Sequence, residues 1–155
     1  MNILSDLMMM TRKDQDEDIA NYIKNLIYVL YSDAECSMKE YAEDNLAIQQ
    51  VGLLLIQRPM VARQLDAKGA DVNFAIDNNL CGVAANIACR KIAMNNDDLG
   101  AWQRLSAPPQ AVAEFTEYFV ALLAEYTERV AAGEYMGELA EKEGNKYPVY
   151  KTLTH

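Results

Sequence analysis

Histidine is almost missing from this 155-residue chain: the only one is His155, the last residue. A histidine-based nucleophilic triad would therefore need the terminal residue docked into a site, and a metal centre would have to be built without imidazole. Cysteine is scarce and odd in number: Cys36, Cys81 and Cys89 stand at unrelated spacings. That count suits reduced, buried thiols better than a disulfide framework, and the Cys81–Cys89 separation is not a zinc spacing. The seven glycines never fall into G-x-G-x-x-G or G-x-x-x-x-G-K-[ST], so no phosphate-cradling loop is present. Long apolar runs are absent too. The longest, residues 51–56, is far short of the ~20 residues a membrane helix needs. Residues 1–10 are apolar but interrupted by Asp6, and the basic Arg12 and Lys13 follow them, the wrong order for a secretion signal. The expectation is a cytoplasmic protein.

What the chain does have is apolar side chains and acid. Apolar residues make up 51%, charged residues 24%, and the net charge is −9. One domain with one substantial core follows from that length and composition. The acid is concentrated at the two ends: residues 1–50 sum to −6, residues 51–105 to +1 and residues 106–155 to −4. Such a balance excludes nucleic acid and anionic membrane as direct ligands, and it suits a basic protein partner steered in by charge.

Helix signals dominate the pattern. Thr11 to Asp14 has capping-box spacing, acids fill the next turn, and Ile19, Tyr22, Ile23, Leu26, Ile27 and Leu30 follow at 3–4 spacing, which predicts a helix over 12–31. A second capping box at 32–35 starts a helix that either runs to about 57 or breaks at Asp44-Asn45. Pro59 opens a short helix that Gly69 stops. Residues 70–79 read as loop, rich in turn formers. A small-residue helix is expected over about 80–94, a short one after Asp97 carrying Trp102, and a long one from Pro108 to about 132, stopped by Gly133. A final amphipathic stretch from Glu134 ends at Gly144. The expected fold class is therefore all-α, a single-domain bundle of about five to seven helices over 1–145, with an extended C-terminal tail over 146–155.

The motif-like stretches fall short of a site. Asp14-Gln15-Asp16-Glu17-Asp18 resembles the start of a calcium loop, but Ile19 and Asn25 stand where that loop needs glycine and a bidentate acid. Glu114 with Glu117 and Glu138 with Glu141 lack the histidines of a di-metal bundle. Residues 67–73 resemble the finger of an ankyrin repeat, yet Leu80-Cys81-Gly82-Val83 replaces the repeat's helix start, and nothing recurs about 33 residues up or down the chain. No catalytic, cofactor-binding or metal-ligating residue is assigned, and no cofactor is expected.

Tyrosine is the remaining oddity, at nine against three phenylalanines, a skew towards side chains that offer area with a polar handle. The leading expectation is a non-enzymatic, protein-binding protein. Its concrete form is an acidic inhibitor that covers a basic nucleic-acid-binding surface by charge mimicry. In size, acidity and lack of motifs the chain resembles immunity proteins and phage-encoded anti-defence proteins, a likeness of class only. The partner-binding candidates are Asp14, Asp16, Glu17, Asp18, Tyr22, Tyr31, Glu35, Glu40 and Glu43. The alternative is a structural or assembly subunit of a virion or homo-oligomer, using the tyrosine-bearing tail. An enzyme working with carboxylates and tyrosines alone is the third reading, one that a polar pocket would revive.

Overall fold

The computed structural model describes residues 3–31, 38–95 and 107–147. Among these residues there is no strand and there are eight helices: α1 (Ile3–Met8), α2 (Arg12–Tyr31), α3 (Met38–Leu55), α4 (Pro59–Ala67), α5 (Val72–Asp77), α6 (Leu80–Asn95), α7 (Pro108–Ala131) and α8 (Met136–Lys146). The all-α expectation holds. No helix among the described residues is long and apolar enough to cross a membrane.

Four long helices form a ring. α2 packs on α3, α3 on α6, α6 on α7, and α7 back on α2. Ile19, Ile23, Leu26 and Ile27 of α2 meet Ile48, Val51 and Leu55 of α3, the small face Ala84, Ala85 and Ala88 of α6, and Phe115, Phe119 and Leu123 of α7, all within one core. Phe115 and Phe119 stack at 5.9 Å. The small residues of α6 let it sit close to its neighbours. Gly52 does the same for α3: a Cβ there would lie 3.2 Å from Phe119 Cε1 and 3.3 Å from the Cys81 carbonyl oxygen. Around the ring, α1 lies across α2 and α3, α4 and α5 lean on α7, and α8 lies along α6.

The local chemistry explains most of the boundaries. Thr11 Oγ1 accepts from the Asp14 amide at 3.2 Å, so the expected cap does start α2. Pro59 and Pro108 occupy first-turn positions of α4 and α7, where their missing N–H costs nothing. Gly69 and Gly133 take φ of +74° and +109°, and the following amides, Ala70 N and Glu134 N, reach back to the Leu65 and Arg129 carbonyls. These are left-handed stops that few other residues adopt cheaply.

Two expectations are corrected. Residues 70–79 are not loop throughout: Asp71 accepts from the Phe74 amide at 3.1 Å and caps α5, which buries Ala75. α8 runs through Gly144 to Lys146, so an extended segment cannot begin at 146. Of the two courses open for α3 the continuous one is found: it runs through Asp44-Asn45 to Leu55, with the Asn45 side chain engaged in a long-range hydrogen bond described below. Residues 3–8, which no pattern marks, are also helical. They are held by Leu7, 1% exposed, by Gln15 donating to the Leu7 carbonyl and by the Leu4 amide donating to Gln50. The capping box at 32–35, the helix carrying Trp102 and the tail over 148–155 lie outside the described residues.

Candidate functional site

The acid begins on α2. Asp14 and Glu17 are exposed, while Asp18 and Tyr22 are half-buried. Asp14, Asp18 and Tyr22 stand four apart, on one face of the helix. Asp6 of α1 joins them: the Tyr22 phenol is pushed up by burial first, and then by the negative fields of Asp18 and Asp6. A second acidic turn opens α3, where Glu40 and Glu43 are exposed beside the half-buried Asp44. Burial raises the Asp44 carboxyl, and Glu43 and Glu40 raise it further. Tyr31 closes α2; its side chain and Glu35 lie outside the described residues.

These clusters are not one surface. The six-residue link between α2 and α3 makes the two helices antiparallel neighbours, as the reach of Arg58, just past α3, to Asp16 near the start of α2 also requires. Asp6 and Asp18 therefore lie towards the start of α2, with Tyr22 at its middle, whereas Glu40, Glu43 and Asp44 lie in the first half of α3, beside the second half of α2.

Asp16, although part of the same acidic run, points inward and is 9% exposed. Its carboxylate accepts from Arg58 Nη2 at 2.7 Å, with Arg12 Nε 3.8 Å away. Gln15 Oε1 accepts from the same Arg58 nitrogen. Asp16 is thus occupied within the fold and offers a partner little. Its slot on the helix is the reason: Asp16 is one turn ahead of Ile19 and Ala20, on the core-facing side. Arg58 and Asp16 border a cleft of about 870 Å³ between α4 and α7.

The acid of the C-terminal third is also partly spent. Arg129 binds Glu134 in bidentate fashion through Nε and Nη2, Glu125 through Nη1 at 3.1 Å, and lies 3.6 Å from Glu143. Buried Glu143 accepts from the buried Tyr126 hydroxyl at 2.7 Å, which pins α8 to α7. That leaves Glu117, Glu128, Glu138 and Glu141 as exposed acids on these helices.

A polar cleft of about 550 Å³ lies where α3, α6 and α8 meet. Each helix contributes residues at i, i+4 and i+8: Tyr41, Asn45 and Gln49 from α3; Gly82, Asn86 and Arg90 from α6; Met136, Ala140 and Gly144 from α8. Arg90 Nε donates to Asn86 Oδ1 at 2.8 Å. Asn86 Nδ2 in turn donates to Asn45 Oδ1 and, at 3.3 Å, to the Tyr41 oxygen. Arg90 Nη1 also donates to the Tyr147 carbonyl at 3.1 Å. Sequence reasoning passed over these residues, because isolated amides at helical spacing carry no pattern until three helices are brought into register.

Among the described residues the cleft lining holds no carboxylate, serine or cysteine, and Tyr41 is its one hydroxyl. The thiols do not supply one. Cys81 and Cys89 are buried, burial pushes Cys81 up to about 11 and Cys89 higher still, and the thiolate is the reactive form. No cluster of three or more potential metal ligands occurs among the described residues. Compared with protein-family models, with curated proteins and with solved structures, the chain has no match in any of the three.

Proposed function

We propose that this protein binds a basic protein surface through the two acidic clusters of the α2–α3 pair, and so acts as an inhibitor that covers a nucleic-acid-binding face. The observation that carries the reading is like-charge crowding in those clusters. Asp44 shares its turn with Glu40 and Glu43, and the Tyr22 phenol feels the charges of both Asp18 and Asp6. No ion pair involves Glu17, Asp18, Glu43 or Asp44 among the described residues, whereas Arg129 gathers three glutamates elsewhere in the same chain. Repulsion of this kind costs stability and is relieved when an opposite surface arrives. Asp14, Glu17, Asp18, Glu40, Glu43 and Tyr22 are the contact residues of this reading; Asp16 drops out because Arg58 holds it.

Affinity capture from the native host at low salt, followed by a salt wash and mass spectrometry, tests the proposal. The expected result is a basic protein released by moderate salt and lost from a Glu40→Lys/Glu43→Lys variant. Recovery of this chain alone would sink it and would favour self-assembly.

A further inference from the structure

We propose that the cleft between α3, α6 and α8 is a binding site for a small carboxylate carrying an apolar or amide body. Hydrogen-bond direction sets the chemistry of the cleft. Arginine has donors only, so Arg90 Nε at 2.8 Å fixes which end of the Asn86 amide is oxygen. The nitrogen end of Asn86 must then face Tyr41 and Asn45, so both present oxygen to it. The network therefore consumes acceptors: the Asn86 and Asn45 carbonyls and a lone pair of Tyr41 are all taken. More donors than acceptors are left over. Asn45 Nδ2, Arg90 Nη2 and the Tyr41 hydroxyl proton have no partner among the described residues, while the side-chain amides of Gln49 and Asn79 offer a donor and an acceptor each. Gln49 is steered there because Gly82 lacks a Cβ, which would lie 3.1 Å from Gln49 Cγ and Cδ.

A half-buried cleft with spare donors and one cation selects a ligand rich in oxygen and carrying one negative charge. Among the described residues, Arg90 is the only charged one in the lining. A carboxylate matches it one to one, and charge-assisted hydrogen bonds to arginine are the strong kind. A phosphate, at about −1.5 to −2 near neutral pH, brings more charge than one arginine offsets, and Glu40, Glu43 and Asp44 flank Tyr41 on the same helix. Val83, Ile87 and Met136 give the remaining wall an apolar character. The volume falls within the range of small-molecule sites, roughly 300–1,000 Å³.

The probe is N-acetyl-L-leucine, with N-acetyl-L-leucinamide as its uncharged twin and inorganic phosphate as the competing anion, titrated into full-length protein at constant ionic strength. Side-chain amide signals of Asn45 and Gln49 and the Arg90 Nε–H signal report occupancy by NMR. The expected result is saturable binding of the acid with a Kd on the order of millimolar, and binding of the amide weaker by about tenfold, the effect of one charge-assisted hydrogen bond. Arg90→Met should abolish binding. Ala140→Phe, which fills the cleft and leaves the hydrogen-bond network intact, should abolish it as well, so misfolding of the arginine variant cannot mimic the result. Equal binding of acid and amide, phosphate binding as tight as the acid, or undiminished binding to Ala140→Phe would each overturn the proposal.

Discussion

Arg58 Nη2 lies 2.7 Å from Asp16 Oδ1, with both side chains about nine-tenths buried, joining the residue before α4 to the first turns of α2. Removing one member strands the other's charge in a poorly hydrated place, while removing both does not. Arg58→Met or Asp16→Leu is expected to cost about 3–5 kcal/mol, and the double variant Asp16→Leu/Arg58→Met should recover much of that loss. Urea unfolding of the three variants measures it. Additive losses would show that the pair does not act as a pair.

The Tyr126 hydroxyl holds Glu143 at 2.7 Å inside the α7–α8 contact. Tyr126→Phe leaves a buried carboxylate oxygen without that donor, an expected cost of about 1–3 kcal/mol. Amide hydrogen exchange in α8 should quicken more than in α2. Uniform acceleration across the chain would place the effect in global stability instead of in the docking of α8.

The acid groups give two opposite pH signatures. Asp44 is raised in the folded state from an ordinary value of 3.8 by burial, Glu43 and Glu40. Its ionisation therefore weakens the fold as pH climbs from that value through the raised one, and the penalty persists at neutral pH. Asp44→Asn should stabilise at pH 7 and be neutral below about pH 3.8. Glu134 is the reverse: hydrogen bonds from Arg129 lower it from 4.5, so its contribution is complete above that value and is lost as pH falls through the lowered one. Glu134→Gln should therefore destabilise at pH 7 and lose its effect in acid. Thermal melts of both variants across that range read the two signs.

Cys81 and Cys89 should be silent towards thiolate-selective reagents in the native protein, because burial raises both thiols. In a Cys36→Ser background, modification by an aromatic disulfide reagent should follow the rate of unfolding and become immediate in urea. Fast native labelling of Cys81 would show that α6 opens locally.

Much of this architecture is legible in the sequence where the signal is local. The Thr11 cap with the Ile19–Leu30 periodicity marks α2, and Pro108 with Gly133 brackets α7, because caps, proline and left-handed glycine act within one turn. The failures arise where distant residues decide. Asn45 could equally start a helix or continue one; α3 carries it in mid-helix, where its side chain accepts from Asn86, 41 positions away. Gly144 looks like a stop, yet the Tyr126–Glu143 contact anchors the helix beside it, against a glycine cost of about 1 kcal/mol. Asp16 reads as one more surface acid; its core-facing slot one turn ahead of Ile19 and Ala20 turns it inward, and Arg58, 42 positions away, supplies the partner its carboxylate needs there. The polar cleft is the extreme case, since its chemistry exists only after three helices align.

The antiparallel course of α2 and α3 has a further consequence for salt and avidity. Asp44, six residues into α3, comes level with about residue 25 of α2, which is seven residues, or roughly 10 Å at 1.5 Å per residue, from Asp18. That is close to the Debye length of about 8 Å at physiological ionic strength, so salt screens the two acidic clusters from one another only in part. Each is still a separate foothold. A basic partner long enough to touch both gains an intramolecular second contact, and its affinity then depends on the spacing of its own basic patches. Neutralising one cluster should leave a weak monovalent contact, and restoring the charge at the other cluster of the pair will not compensate.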